Sequence, residues 1–218
     1  MPDPDAETRR LAAEAVRTGD ATGWFERLYV AAGSGEASLP WDRGGPHPLI
    51  ADWAHARRPD GRGRRAVVVG AGLGEDAELL AGLGFETVAF DISPTAVATA
   101  RERHPDTTVQ YVVADLLDPP ADWRRRFDLV VESLTVQSLP DDLRPRAIEC
   151  VRDLVAPGGT LLVVAAARDA AAGPVQGPPW PLTREEIDAF AGDGLAPVGV
   201  ERLGGPGTDR WRAELRRA

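Results

Sequence analysis

Apolar residues follow two different rhythms along this chain, and the change between them falls near Arg65. Before that point the spacing is helical. Asp5 to Arg17 is rich in Ala and Arg and carries a mild apolar stripe. Asp20 is suited to cap a second helix that gathers Trp24, Phe25, Leu28 and Tyr29 on one face. Gly33-Ser34-Gly35 interrupts it, and Trp41-Asp42-Arg43-Gly44-Gly45-Pro46 reads as a loop. A third helix, Pro48 to Arg57, brings Leu49, Ile50 and Trp53 together.

After Arg65, short β-branched runs alternate with helical stretches. Ala66 to Val69 is continuously apolar, as a strand covered on both faces requires. The glycine-rich turn Gly70 to Gly74 leads into a helix at Glu75 to Leu83 and a strand at Thr87 to Phe90. Ser93-Pro94 places a capping hydroxyl before a proline, a strong helix start. Further strands are expected at Val109 to Val113, Phe127 to Val131 and Thr160 to Ala165. A helix is expected at Leu143 to Val155, closed by Pro157-Gly158-Gly159. Thr183 opens another helix with a capping box to Glu186. Strands near Pro197 to Arg202 and Arg210 to Leu215 finish the chain.

Strands that alternate with helices pair in parallel through right-handed crossovers. Only the turn Gly204 to Gly207 separates the last two strands, so that pair is antiparallel. The expected class is therefore α/β, a doubly wound Rossmann-like sheet. A single unit covers 1–218, with an N-terminal helical extension or lid at 1–60 and the core at 65–218.

Charge narrows the partners. The net charge is -9 and every basic side chain is arginine. An acidic surface repels phosphate backbones, which argues against nucleic acid. The clusters Arg62, Arg64, Arg65 and Arg124 to Arg126 stand beside acidic residues and read as solvated faces. Without lysine, neither a Walker A phosphate loop nor a pyridoxal Schiff base is available. Cys150 is the only cysteine and fits a buried thiol in a reducing compartment. One cysteine and three scattered histidines make no standard zinc site, and Asp141 with Asp142 lack a magnesium motif. Met1 to Arg10 is polar and unlike a signal peptide, and no apolar run is long enough for a membrane span. A cytoplasmic monomer or homodimer is expected.

The strongest chemical signal is Val69-Gly70-Ala71-Gly72-Leu73-Gly74, a buried strand running into a turn with three alternate glycines. In a doubly wound sheet, ligands sit at the carboxyl ends of the strands. A dinucleotide fingerprint would need a third glycine where Glu75 stands. A carboxylate at a helix N-terminus also competes with pyrophosphate for the positive end of the dipole. The loop therefore suits a nucleoside without phosphates. Asp91 ends the second strand 21 positions after Gly70, close to the spacing of an acid that accepts ribose hydroxyls. Asp115 follows the third strand and is placed to accept from an adenine amino group, with Ile92 and Leu116 as apolar walls. Taken singly, Asp91 also reads as a helix cap and Asp115 as a turn acid; the ordered set is harder to explain as structure alone.

From Arg65 to Ala166 the chain resembles class I S-adenosylmethionine-dependent methyltransferases. In detail it is similar to their thiopurine, thiol and halide methyltransferase-like branch. Three segments carry that likeness: Trp41-Asp42-x-Gly44-x-Pro46-x-Pro48, Gly70-x-Gly72-x-Gly74-x-Asp76 and Phe90-Asp91-Ile92-Ser93. The chain departs from the pattern in two places. Val68 stands where many class I enzymes have an acid, and Ala71 where the branch often has cysteine. The resemblance implies a seven-stranded sheet, S-adenosylmethionine as cofactor and a small-molecule acceptor. It carries cofactor contacts onto Trp41, Gly70, Ala71, Gly72, Gly74, Asp91, Ile92, Ala114, Asp115, Leu116 and Glu132.

Methyl transfer from a sulfonium is an in-line displacement, and positioning alone contributes about 7–11 kcal/mol. A hydroxyl or amine acceptor needs a base, whereas a thiolate or halide does not. Glu132, Ser133 and Thr135, with Gln137 nearby, stand at the end of the fourth strand and are the catalytic candidates. Glu132 reads as a base, a substrate clamp, an ammonium ligand or simply a turn cap. Trp24 and Trp41 suit a lid over a cation or core packing. Pro178-Pro179-Trp180-Pro181 suits an acceptor wall or a stiff linker, and His47, in the opening loop, is placed to reach the acceptor. The competing readings are an NAD-type oxidoreductase, which the loop spacing opposes, and a non-catalytic cofactor-binding protein.

Overall fold

The computed structural model describes residues 6–173, 177–205 and 208–218. Asp5 of the first expected helix and Gly207 of the last expected turn lie outside the described residues. Three helices come first: α1 (Ala6–Thr18), α2 (Gly23–Gly33) and α3 (Pro48–Arg57). Then follow β1 (Arg65–Val69), α4 (Glu75–Gly82), β2 (Glu86–Asp91), α5 (Pro94–Arg103) and β3 (Gln110–Val113). The chain continues through β4 (Phe127–Ser133), α6 (Arg144–Leu154), β5 (Val155–Ala166) and α7 (Arg184–Asp188), and closes with β6 (Leu195–Leu203) and β7 (Arg210–Arg217).

The seven strands lie in the order β3-β2-β1-β4-β5-β7-β6. The first five pair in parallel and β7 is antiparallel to both neighbours. Strand succession runs outward from β1 to β3, then jumps back across β1 to β4. That reversal between β1 and β4 is the topological switch point, where open α/β sheets bind ligands.

Both faces of the sheet are covered, and β1 shows how. Ala66 and Val68 pack with α3, α4 and α5 residues such as Ile50, Leu80 and Val97. Val67 and Val69 pack on the opposite face with Ile148, Val151 and Leu154 of α6 and Ile187 of α7. The period-2 alternation of a strand therefore divides an unbroken apolar run between two cores. Cys150 is a buried free thiol in the second of them.

Two boundaries differ from expectation. The second helix begins at Gly23, with Thr22 as its cap, and Asp20 Oδ1 accepts from the Gly23 N–H at 2.8 Å. Asp20 thus serves the helix from one turn further out. The Pro157-Gly158-Gly159 segment lies inside β5 rather than before it. The partner register shifts there between Phe127 and Leu129, so the glycines form a bulge. A Cβ at Gly159 would lie 2.8 Å from the Ala156 carbonyl oxygen. The capping hydroxyls are where the sequence puts them. Ser93 Oγ accepts from the Ala96 N–H at 2.9 Å, and Thr183 makes its box with Glu186.

Candidate active site

A cavity of about 530 Å³ opens above the switch point. The glycine turn forms its floor. Gly70 and Gly74 have φ of 60° and 94°, where side chains are strained. A Cβ at Gly70 would lie 2.2 Å from Thr135 Oγ1, and one at Gly74 2.2 Å from the Tyr111 hydroxyl. Both positions therefore require glycine for packing as well as for backbone shape. Gly74 also caps α4, whose first turn holds Glu75, Asp76 and Glu78. Three carboxylates at this helix start repel a phosphate.

Asp91 ends β2 beside this turn. Its Oδ2 accepts from the Gly72 N–H at 3.0 Å and its Oδ1 from the Ser93 N–H at 2.9 Å. Burial pushes the carboxyl up from its ordinary range, and the backbone bonds oppose that. The Ile92 N–H bonds to it as well, and the remaining acceptor capacity of the carboxylate is open to a ligand hydroxyl. Asp115 Oδ1 accepts from the Leu117 N–H at 2.8 Å, an Asx turn that holds the loop after β3. Asp91, Asp115, Ile92, Ala114 and Leu116 all line the cavity, as do Gly70, Ala71, Gly72 and Gly74.

The roof comes from the N-terminal segment. Trp41 lines the cavity and donates from Nε1 to the Tyr29 hydroxyl at 2.8 Å. Tyr29 is itself buried, and burial followed by the Asp91 charge raises its phenol well above its usual range. His47 N–H donates to Asp76 Oδ1 at 2.7 Å, which ties the roof to α4. Burial raises the Asp76 carboxyl.

Comparison with known proteins gives this cavity a family. Residues 66–159 match the model of a methyltransferase domain. That central segment is similar to a methyltransferase domain. The chain is 32% identical over 157 residues to a ubiquinone biosynthesis O-methyltransferase of Xanthomonas oryzae pv. oryzae (strain PXO99A), covering 67% of this chain and 64% of that protein. It is 28% identical over 151 residues to thiocyanate methyltransferase 1 of Arabidopsis thaliana, covering 68% and 63%. The chain thus spans just under two thirds of the curated relatives it matches. A solved structure from work on the conversion of a disulfide bond into a thioacetal group during echinomycin biosynthesis shares the fold, with a TM-score of 0.70 and 23% identity, covering 88% of this chain and 93% of that one.

At the end of β4 the candidate residues take different places. Glu132 is fully buried and does not line the cavity. Its Oε1 accepts from the Thr135 and Val136 N–H groups at 2.8 and 2.9 Å, while Oε2 has no partner. One oxygen thus caps the turn, as the turn-cap reading of Glu132 expects. Ser133 and Thr135 do face the cavity. The Thr135 hydroxyl is within reach of the Val69 and Ser133 carbonyls at 3.1 and 3.3 Å. It is thereby occupied in joining β1 to the β4 turn. Gln137 lines the cavity but accepts from the Ala166 N–H at 2.5 Å, a strap between β4 and β5.

Trp24 also touches the cavity, yet it is nearly inaccessible and stacks on Phe25 at 3.9 Å within the α1–α2 core. Pro178 and Pro179 line the cavity, whereas Trp180 lies under Arg144 at 5.8 Å. Asp141 is ion-paired with Arg144 at 2.9 Å. Among the described residues no group of three metal-ligating side chains comes together, and no helix is long and apolar enough to cross a membrane. Asp76, Tyr29, Arg43 and Arg210 were not singled out as site residues from sequence, yet they line the cavity. Only Asp76 left a trace, as the last letter of the glycine-loop motif.

Proposed function

We propose that this domain binds S-adenosylmethionine across the switch point and transfers its methyl group to a small-molecule acceptor. The supporting observation is the shared cavity of the glycine turn, Asp91 and Asp115 at three successive strand ends. The residues suit that cofactor: carboxylates for hydroxyl and amino donors, apolar Ile92 and Leu116 for a flat base, and acids where a phosphate would need cations. When bound, the cofactor supplies an electrophilic methyl on a positive sulfur. Asp91 would hold the ribose, its geometry set in advance by Gly72 and Ser93. Trp41 offers an aromatic face toward the cationic region. Ser133 and Thr135 shape the wall beside the reacting atoms, and Glu132 holds that wall in place as a positioning residue.

Because Glu132 and Thr135 are engaged in the β4 turn, an acceptor that is already a good nucleophile fits best. A thiol, halide or activated natural-product heteroatom is such an acceptor. The Trp41 loop supports the thiopurine, thiol and halide-like branch, and the Arabidopsis relative named for thiocyanate agrees. Net charge and a single buried thiol support a cytoplasmic setting without nucleic acid. The test is an acceptor panel with S-adenosylmethionine, following adenosylhomocysteine release, beside calorimetry of adenosylhomocysteine binding. Asp91→Asn should weaken that binding by about 1.5–3 kcal/mol through lost charge-assisted bonds. Equal affinity in the variant, or no binding by the parent protein, would remove the assignment.

A further inference from the structure

The cavity is electrically divided. Its floor over β1, β2 and β3 holds Asp91 and Asp115. The other half, over β4, β5 and β7, holds Arg210 at the start of β7, paired in register with Ala166 of β5. Arg43 and His47 reach the cavity from the roof loop. Arg43 and Arg210 are the two arginines among its lining residues. Among the described residues neither makes an ion pair. Arg210 Nη1 is spent on the Thr208 and Asp209 carbonyls, at 3.2 and 2.9 Å, which leaves its other nitrogens.

The neighbouring carboxylates are committed elsewhere. Asp42 and Glu75 pair with Arg103 at 2.6 and 3.6 Å. Asp209 pairs with Arg202 at 2.6 Å and Asp76 accepts from the His47 N–H; Asp76 also feels the Arg43 charge and Arg210 that of Asp209, without either forming an ion pair. In a chain with 34 acids to 25 bases, two cavity guanidiniums that pair with none of the acids lining the same cavity need a reason. Their charges also act on each other. Burial first, and Arg43 second, push the Arg210 guanidinium down from its usual value. Burial, Arg43 and Arg210 together push His47 down to about 4. His47 is therefore neutral at pH 7. Its Nδ1 accepts from the Leu49 N–H at 3.2 Å, so its proton sits on Nε2 as one more donor.

We propose that Arg43 and Arg210, with His47 beside them, form an anion-recognition subsite, and that the methyl acceptor carries a carboxylate or similar oxyanion. An anion there relieves the repulsion and gains charge-assisted bonds to planar donors. The same chemistry has a second source, the carboxylate of the cofactor's own methionine tail. The position of Arg210, on β7 beyond β4 and β5, favours the acceptor. The proposal rests on the methyl-transfer reading, and the experiment separates the two.

Benzoate and its neutral counterpart benzamide are titrated calorimetrically into the protein, with and without saturating adenosylhomocysteine. Benzoate should bind at least tenfold more tightly than benzamide. Arg43→Gln and Arg210→Gln should each weaken benzoate about tenfold or more, leaving benzamide and adenosylhomocysteine unchanged. Thermal melts confirm that the variants fold. Equal affinity for the two probes, no benzoate binding, or benzoate affinity unchanged in both variants overturns the subsite. Weakened adenosylhomocysteine in either variant also overturns it, by placing that guanidinium on the cofactor's carboxylate. If the parent protein fails to bind adenosylhomocysteine but still prefers benzoate through these arginines, the methyl-transfer reading falls and the anion site stands.

Discussion

The carboxyl of Glu132 ends β4 with one oxygen on two backbone N–H groups and the other on none. Burial raises its pKa to about 7, against the pull of those two bonds. An unfolded glutamate titrates near about 4.3. Between those values the unfolded chain releases a proton that the folded chain keeps. Stability must then fall as pH rises, since the unfolded state binds fewer protons. The contribution is fully present below the unfolded value and lost as pH passes 7. Burial raises Asp76 and Asp91 in the same direction. Glu132→Gln should therefore flatten, without abolishing, the decline in denaturant stability from pH 5 to pH 7. A slope as steep as the parent's would show that Glu132 ionises normally. At pH 5 the variant should stand close to the parent, because the protonated carboxyl already sets a donor at the unpartnered Oε2 position.

At the scale of elements, α2 is fastened to the start of α5 by one side chain. Glu26 Oε2 accepts from Ser93 Oγ at 2.5 Å and from the Thr95 N–H at 3.1 Å, and its Oε1 accepts from Thr95 Oγ1 at 2.6 Å. Burial works to raise this carboxyl, but the Ser93 and Thr95 bonds outweigh it and hold it below its usual range. The charge also sits at the positive end of α5. Glu26→Ala should cost about 1–3 kcal/mol in a thermal melt. It should also speed amide exchange in 23–33 more than in 65–69. Uniform exchange across both segments would count against a local latch. This contact was not legible from sequence, because Glu26 and Ser93 are distant in the chain and either one reads as an ordinary helix residue. By contrast, the element pattern from Arg65 onward was legible. Buried parallel strands are short apolar runs, and caps such as Ser93 and Thr183 act within three residues. The same locality made Asp91 findable and hid Arg210, whose role depends on β7 lying next to β5. For Glu132 the sequence left a turn cap among several readings, and only the turn's own N–H groups in the fold show its carboxylate capping.

For the molecule as a whole, the cavity is the seam between two parts whose apolar cores differ in size. The sheet and its flanking helices bury two continuous cores. The N-terminal helices have a smaller one built on Leu11, Trp24 and Leu28. They meet the sheet through Tyr29, Trp41 and His47, all of which line the cavity. A ligand filling that seam touches both sides at once, so its binding free energy should couple them. A ligand present at 100 times its Kd adds about 2.7 kcal/mol. For a chain of this size, that corresponds to a rise of about 5–10 °C in Tm. Adenosylhomocysteine should produce this shift in a single transition, with amide protection rising in 23–33 as well as in the glycine turn. Oxidised NAD at the same concentration should leave Tm unchanged, because its pyrophosphate would face Glu75 and Asp76 at the start of α4. A shift with NAD and none with adenosylhomocysteine would exchange the two ligands. Protection confined to the glycine turn would mean that the N-terminal helices are packed beside the site without closing it.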